Sequence, residues 1–395
     1  MRLLRCFCIV LFLLISMENT FEAQEAETIY AVTINCGPAC WLNQEWGIAV
    51  LERANQLLDD YDIALVQNDW SGAYPTILEI ILYKNQTLEE IMHFIVGVDG
   101  EREAIPVKQS LRDISPILLH RFTPHIIFEQ SMTVTGPTDA AVSNMIAGLT
   151  LYVANNCDVA IPFLQSVKNS LTVVSERQEV EGYLNFYLGN CAILVGDLDQ
   201  ASQLFQHSLE TFNGEIQWNV GLSNNLAWVH LQNGHSNLAF DLMAHTLSST
   251  SGSPNSQLLA LVHRSQLYAL DFRYNEAIAD VDAAIALMID KDDELRNGVY
   301  SWSSLPELYV LRGQMVMLLY EWDRVLADYN TALELDPTYA DAYFYRGVLY
   351  YSVLEREQAL ADFEYYLELA PEGDHVAEAT RYAESILAEL EALDG

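Results

Sequence analysis

Apolar and polar positions follow a helical rhythm through most of this chain, and between Pro306 and Pro371 the rhythm is written twice at a spacing of 34 residues, as from Tyr309 to Tyr343. Tyr309, Arg312, Gly313, Asp328, Leu333, Leu335 and Pro337 recur as Tyr343, Arg346, Gly347, Asp362, Leu367, Leu369 and Pro371, while Tyr329 is answered by Phe363. Each copy sets apolar residues at helical spacing in two blocks, parts them with a short polar turn, and closes on Leu-x-Leu-x-Pro, which cannot continue a helix. The pattern predicts a copied helix-turn-helix hairpin. The glycine in the first helix lets a second backbone come close, and the aromatic and small residues of the second helix fill the space between.

The unit resembles the tetratricopeptide repeat (TPR) family, whose 34-residue period carries aromatic, Leu-Gly, Tyr, Ala, Phe, Ala and Pro signature positions. At those positions the last copy reads Tyr343, Gly347, Tyr350, Ala359, Phe363 and Pro371. It departs at Arg346, where the family favours Leu, and at Tyr366, where it favours Ala. The same register finds weaker copies upstream. One starts near Leu258, with Arg264, Tyr268, Ala277 and Ala284 in place and Ser265 where the glycine should be. Others start near Val220 (Leu226, Ala227, the Asn233-Gly234 turn, Ala239), near Gly182 (Leu188, Gly189, Gly196, Ala201, Phe205) and near Ala141 (Ala147, Gly148, Asn155, Ala160). The exit from Lys291 to Ser304 is longer, so an insertion breaks the period there. The expected fold class is mainly α: a TPR-type α-solenoid of about six helical hairpins plus a capping helix, from about His375 to Leu393, over residues 137–395. A single hairpin cannot bury its apolar face, so stacking is obligatory.

Residues 24–136 do not repeat. Thr28 to Asn35, Asp62 to Gln67 and Phe94 to Val98 are apolar, β-branched runs of strand length. Trp41 to Tyr61 and Pro75 to His93 lie between them with apolar residues at helical spacing. That order predicts a small α/β domain with a parallel sheet and crossover helices, with a later strand at about His125 to Gln130.

Composition changes this picture in two ways. A hydrophobic content of 51% excludes general disorder, and a formal net charge of −36 repels nucleic-acid phosphates and anionic lipid surfaces. The N-terminus then suggests a destination. Arg2 and Arg5 flank an apolar stretch from Cys6 to Met17, of signal-peptide length and short for a membrane span, so residues 1–23 read as a signal peptide with cleavage after Ala23, or as an uncleaved anchor. The expected location is therefore extracellular, periplasmic or associated with the cell envelope. Export permits disulfides among Cys36, Cys40, Cys157 and Cys191. In Asn-Cys-Gly-Pro-Ala-Cys the turn folds Cys36 toward Cys40, giving a local disulfide as the first reading and a redox site as the sharper one. Cys157 and Cys191 read as buried small residues rather than partners.

Candidate chemistry is sparse. No Gly-x-Ser-x-Gly elbow, His-Glu-x-x-His helix, GxGxxG or GxxxxGK[ST] loop occurs, and no catalytic, metal or cofactor residue is assigned. Ligands of open parallel sheets sit beyond the carboxyl ends of the strands, here Cys36 to Cys40, Asn68 to Tyr74 and Gly97 to Glu101. The amides, carboxylate and indole of Asn68 to Gly72 suit a small polar ligand, and equally suit a turn. Asn85-Gln-Thr87 fits a glycosylation sequon. The TPR resemblance implies a concave groove that holds peptide segments or partner domains. Its positions fall on Tyr183, Phe186, Asn190, Asn224, Trp228, Val262, Gln266, Val310, Gln314, Met317, Phe344, Val348 and Tyr351. This lining is aromatic and amide-rich and lacks the Lys and Arg of a carboxylate clamp, which favours apolar or amide-rich peptides over acidic tails. The expected function is an exported protein- or peptide-binding scaffold, not an enzyme. A ligand-sensing N-terminal domain or a remote enzyme domain there are the alternatives.

Overall fold

The computed structural model describes residues 28–36, 44–61, 63–67, 76–84, 90–96, 104–107, 117–120, 128–132, 139–154, 156–170, 177–212, 216–291, 304–371, 373 and 375–394. The residues divide into two units, one holding Met1–Glu101 and Pro124–Val180, the other Arg102–Thr123 and Glu181–Gly395.

In chain order the strands are β1 (Thr28–Cys36), β2 (Ile63–Gln67), β3 (Thr76–Lys84), β4 (Glu90–Val96), β5 (Ala104–Val107), β6 (Ile117–His120) and β7 (Phe128–Met132). In the first unit the β-branched run of β1 takes an inner place in a five-stranded sheet of order β2-β1-β3-β4-β7. The helix Gln44–Leu58 connects β1 to β2, which lie parallel. Its buried Val50, Ala54 and Leu58 form a core with Val32 and Leu65. β2 is an edge strand, and Asn55 satisfies part of its outer backbone: the side chain donates to the Leu65 carbonyl at 2.8 Å and accepts from the Leu65 amide at 2.7 Å.

The sheet departs from two expectations. Pro75 to His93 does not form a crossover helix but supplies β3 and the start of β4. The run Ile77-Leu78-Glu79-Ile80-Ile81-Leu82 is apolar at both helical and strand spacing, and its isoleucines tip it toward a strand held between two neighbours. Consequently the sheet is mixed rather than parallel: β1 runs parallel to β2 and β3, whereas β3 pairs antiparallel with β4, and β4 with β7. Only an antiparallel pair can be joined by a connection as short as residues 85–89. The hairpin of helices Asp139–Val153 and Cys157–Ser170 also belongs to this unit, where Ser143 Oγ donates to the Val50 carbonyl at 3.2 Å.

The second unit pairs β5 with β6 in a short hairpin and is otherwise helical. Its helical hairpins are Arg177–Leu194 with Leu198–Thr211, Ile216–Gln232 with Ser236–Ser249, Pro254–Leu270 with Tyr274–Asp290, Leu305–Met317 with Trp322–Leu335, and Ala340–Ser352 with Arg356–Leu369. Val376–Asp394 follows and packs on the last of them. First helices touch the first helices of neighbouring hairpins, as Leu305–Met317 touches Ala340–Ser352, so a buried core runs from Leu258 to Ile386. Helix starts are locally encoded. Ser304 Oγ accepts from the Glu307 amide while Glu307 Oε2 accepts from the Ser304 amide, a capping box that begins the helix just before Pro306. Among the described residues no helix is long and apolar enough to cross a membrane.

Cys157 and Cys191 are both buried, and each is disulfide-bonded, which corrects their reading as unbonded small residues. Bonding depends on how closely Cβ atoms are brought together, and the sequence carries no direct record of that.

Candidate binding surface of the helical repeats

Three hairpins of the second unit are closed by a glycine opposite an aromatic ring. A Cβ at Gly189 would lie 2.6 Å from the Phe205 ring, and one at Gly347 would lie 2.9 Å from the Phe363 ring; a Cβ at Gly313 would collide with Tyr329. Phe205, Tyr329 and Phe363 are fully buried as a result. At the equivalent positions the two hairpins between carry Ala227 and Ser265, with Met243 and Val281 sixteen residues on, and all four are buried.

The residues one step before these pairs differ along the array. Leu188 and Leu226 are buried apolar residues, whereas the three later hairpins carry Arg264, Arg312 and Arg346. Each arginine meets an aspartate sixteen residues on. Arg264 bonds Asp280 through two nitrogens at 2.7 Å each, and Arg346 bonds Asp362 at 2.8 and 2.7 Å. Arg312 closes on Asp328 in the same way and reaches back to Asp282 of the preceding hairpin at 2.7 Å; Arg346 likewise reaches Asn330 at 2.8 Å. The guanidinium faces rest on Tyr268, Tyr309 and Tyr343, at 5.7, 5.1 and 5.4 Å from the ring centroids.

Electrostatics follow from that geometry. Burial disfavours the Arg312 charge, but its bonds to Asp328 and Asp282 outweigh burial and raise its pKa further. Burial pushes the Asp362 carboxyl above the usual carboxylate range, with Arg346 opposing. Arg346, the departure from the family's Leu, is therefore one half of a coupled replacement. A bidentate ion pair takes the place of an apolar contact, and a third bond ties one hairpin to the next.

The earlier hairpins bury amides instead. Asn225 Nδ2 donates to Asn190 Oδ1 at 2.7 Å, linking helices Arg177–Leu194 and Ile216–Gln232, and Asn224 Nδ2 lies 3.4 Å from Asn225 Oδ1. The Trp228 indole N–H beside them is buried with no acceptor among the described residues.

The structure places the groove positions in two environments. Tyr183, Phe186, Asn190, Asn224, Trp228, Val310, Gln314, Met317 and Phe344 are buried. Tyr183 packs on Phe212, Phe186 on Phe205, and Phe344 stacks on His375 at 4.1 Å. Val262, Gln266, Val348 and Tyr351 are half-buried and reach the surface. Tyr351 lies under the Arg356 guanidinium at 4.2 Å and beside Tyr382 of the last helix. Cys36 ends β1, while Cys40, the loop Asn68 to Gly72, the strand exit Gly97 to Glu101, the Asn85 sequon, the segment 1–23 and the insertion 292–303 lie outside the described residues.

In the sequence the arginines and aspartates stand out as recurring letters, and nothing in the reading of the repeat pairs them. The signal is nevertheless present: both recur with the 34-residue period, and both sit one position before the glycine and the aromatic that close the hairpin.

Among curated proteins none matches this chain. Several solved structures are similar to it in part. The APC/C hetero-tetramer Cut9-Hcn1 matches at 15% identity over 62% of this chain and 42% of that one, with a TM-score of 0.39. Yeast Tom70 matches at 13% identity over 64% of this chain and 55% of its own, with a TM-score of 0.44. A thermophilic TPR protein of Thermus thermophilus matches at 25% identity over 52% of this chain and 99% of its own, with a TM-score of 0.34. This chain thus spans about half the length of the first two. A family profile described as TPR repeat matches residues 321–353, which run from the second helix of one hairpin into the first helix of the next. With that match set on hairpins that recur at the TPR period and close on the TPR glycine and aromatic, residues 321–353 are recognised as a tetratricopeptide repeat.

Proposed function

We propose that this protein is an exported scaffold that holds a peptide segment of a partner protein along the first helices of its repeats. The observation that carries the reading is the surface left by the half-buried positions Val262, Gln266, Val348 and Tyr351, which offers apolar area and one amide, the Arg356 cation over Tyr351 being held by Glu389. Apolar anchors supply contact area and an amide satisfies a peptide backbone, so the occupant is an apolar, amide-bearing segment rather than an acidic tail. Export is supported by the disulfide bonding of Cys157 and Cys191, because such bonds persist in oxidising compartments. No catalytic step enters this reading.

The test is selection of a displayed random-peptide library on the immobilised full-length chain, followed by affinity measurement on variants. Enriched peptides are expected to be apolar and amide-rich, and to bind the double variant Val262→Asp/Val348→Asp at least about tenfold more weakly, a loss of about 1.4 kcal/mol. Failure to enrich any sequence, or affinities untouched by the double variant, overturns the reading.

A further inference from the structure

The turn joining the two helices of each hairpin places one residue in the left-handed region, and that residue changes character along the array. It is Gly196 (φ 84°) and Gly234 (φ 76°) in the two earlier hairpins, then Phe272 (φ 61°), Tyr320 (φ 61°) and Leu354 (φ 69°) in the three later ones. Four of the turns share one hydrogen-bond pattern. The residue after the left-handed one donates back to the first helix, Asp197 to Ala192, His235 to His230, Arg273 to Tyr268 and Glu355 to Tyr350, all at 2.8 or 2.9 Å. That is the helix-ending motif in which glycine is the unstrained choice.

The backbone does not call for these three bulky residues, and the ring contacts of Phe272 with Tyr274 at 6.3 Å and of Tyr320 with Trp322 at 5.5 Å leave more than half of each residue exposed. Their conformation is strained for any side chain with a Cβ. A Cβ at Gly196 or Gly234 would meet nothing within 4 Å, so this position points into open space. Phe272, Tyr320 and Leu354 are accordingly 72%, 57% and 73% exposed. Because the hairpins stack with first helix against first helix, equivalent turns fall along one edge of the repeat array. Three consecutive repeats hold a large apolar tip out into water at that edge, at a cost in both strain and exposure.

Charge around the tips specifies the occupant. The arginines of these turns are engaged: Arg273 with Glu276, Arg324 with Glu321, and Arg356 with Glu389. Asp323, Glu355 and Glu357 remain exposed beside them, on a chain of net charge −36. We propose that the edge marked by Phe272, Tyr320 and Leu354 docks a cationic amphipathic helix of a partner protein. Its apolar stripe covers the three tips, and its Lys and Arg residues meet the flanking carboxylates. This surface is separate from the first-helix positions assigned to peptide binding above.

The probe is a fluorescent amphipathic helix built from Leu and Lys, compared with a scrambled peptide of the same composition, at about 150 mM salt so that distant charges are screened. The protein is the full-length chain, its variant Phe272→Gly/Tyr320→Gly/Leu354→Gly, and a second variant with Asn at the same positions, which also tolerates the left-handed region. The amphipathic probe should bind the natural chain at least about tenfold more tightly than the scrambled one, and both variants should lose that advantage while melting no lower. Val262→Asp/Val348→Asp should leave it intact. Equal binding by the natural chain and the variants, a lower melting temperature in both variants, or a self-association of the natural chain that the variants abolish each overturns the proposal. The second of these would make the tips part of internal packing, and the third would make the edge a contact between copies.

Discussion

The hairpins of 177–249 and those of 254–369 solve the same packing problem with different chemistry. Both sink one large side chain against a small residue of the facing helix: Phe205 against Gly189 in the first set, Tyr329 against Gly313 in the second. Around that shared contact the first set uses leucines, buried asparagines and glycine turns, and the second uses arginine-aspartate pairs and bulky turn residues. The contrast shows where the repeat is constrained. At the helix crossing the volumes are matched, with glycine facing an aromatic ring in both sets, because a close-packed interface cannot absorb extra volume cheaply. The neighbouring site accepts an apolar pair or a bidentate ion pair, since either fills the space and leaves no unpaired buried group.

The strongest challenge to this parallel is truncation of the shared contact. Phe205→Ala and Tyr329→Ala should each destabilise the protein by roughly 4 kcal/mol in chemical denaturation, with the two halves matching closely. A much smaller loss in either half would mean that the crossing is not the common element.

Next in size is the ion pair. Asp362→Ala strands Arg346 beside the hairpin core and should cost about 3 kcal/mol, whereas Arg346→Leu combined with Asp362→Leu should return stability to within about 1 kcal/mol of the natural protein. If the double variant is as unstable as the single one, the two halves are not chemically interchangeable. The reach of Arg346 to Asn330 would then be what couples neighbouring repeats.

A smaller loss is expected from the asparagine network. Asn225→Leu leaves Asn190 Oδ1 without this donor and should cost on the order of 1–2 kcal/mol, read from the shift in denaturation midpoint. The effect should be confined to 177–249, so hydrogen exchange in the helices after Leu305 should be unchanged.

The smallest effect is one of pH. Burial, and then the neighbouring His235, hold the His230 pKa below its ordinary value of 6.5. Unfolding therefore takes up a proton as pH falls, so the contribution of this group to stability is complete above pH 6.5 and is lost progressively below it. His230→Gln should flatten the melting temperature over that window, and an unchanged slope would assign the acid sensitivity elsewhere.

What can be read from the chain alone depends on whether a feature is local. The hairpins at 305–369 are readable because Gly313, Tyr329, Gly347 and Phe363 repeat at one period and each hairpin is closed by contacts within itself. The segment Pro75 to His93 misleads because its isoleucine-rich run satisfies helical and strand spacing together, and its fate is settled by β1, whose paired residues lie about 45 positions earlier. The groove positions carried over from the family are legible as positions, yet which of them meet solvent is not. Phe344 lies under His375, and that contact depends on the path of the chain after Pro371.

The repeat, its register and its helix boundaries are written in the sequence, because caps, turns and apolar periodicity act over a few residues along the chain. The sequence also holds the arginines, aspartates and turn residues in fixed phase with that repeat. Three outcomes had to await the folded chain: Arg312 and Arg346 each join an aspartate of their own hairpin to a partner in the preceding one, Cys157 and Cys191 are each in a disulfide, and Phe272, Tyr320 and Leu354 stand out along one edge. Their common cause is distance. Pairing and exposure are set across packed helices, and residues far apart in the chain acquire those separations only when the helices stack.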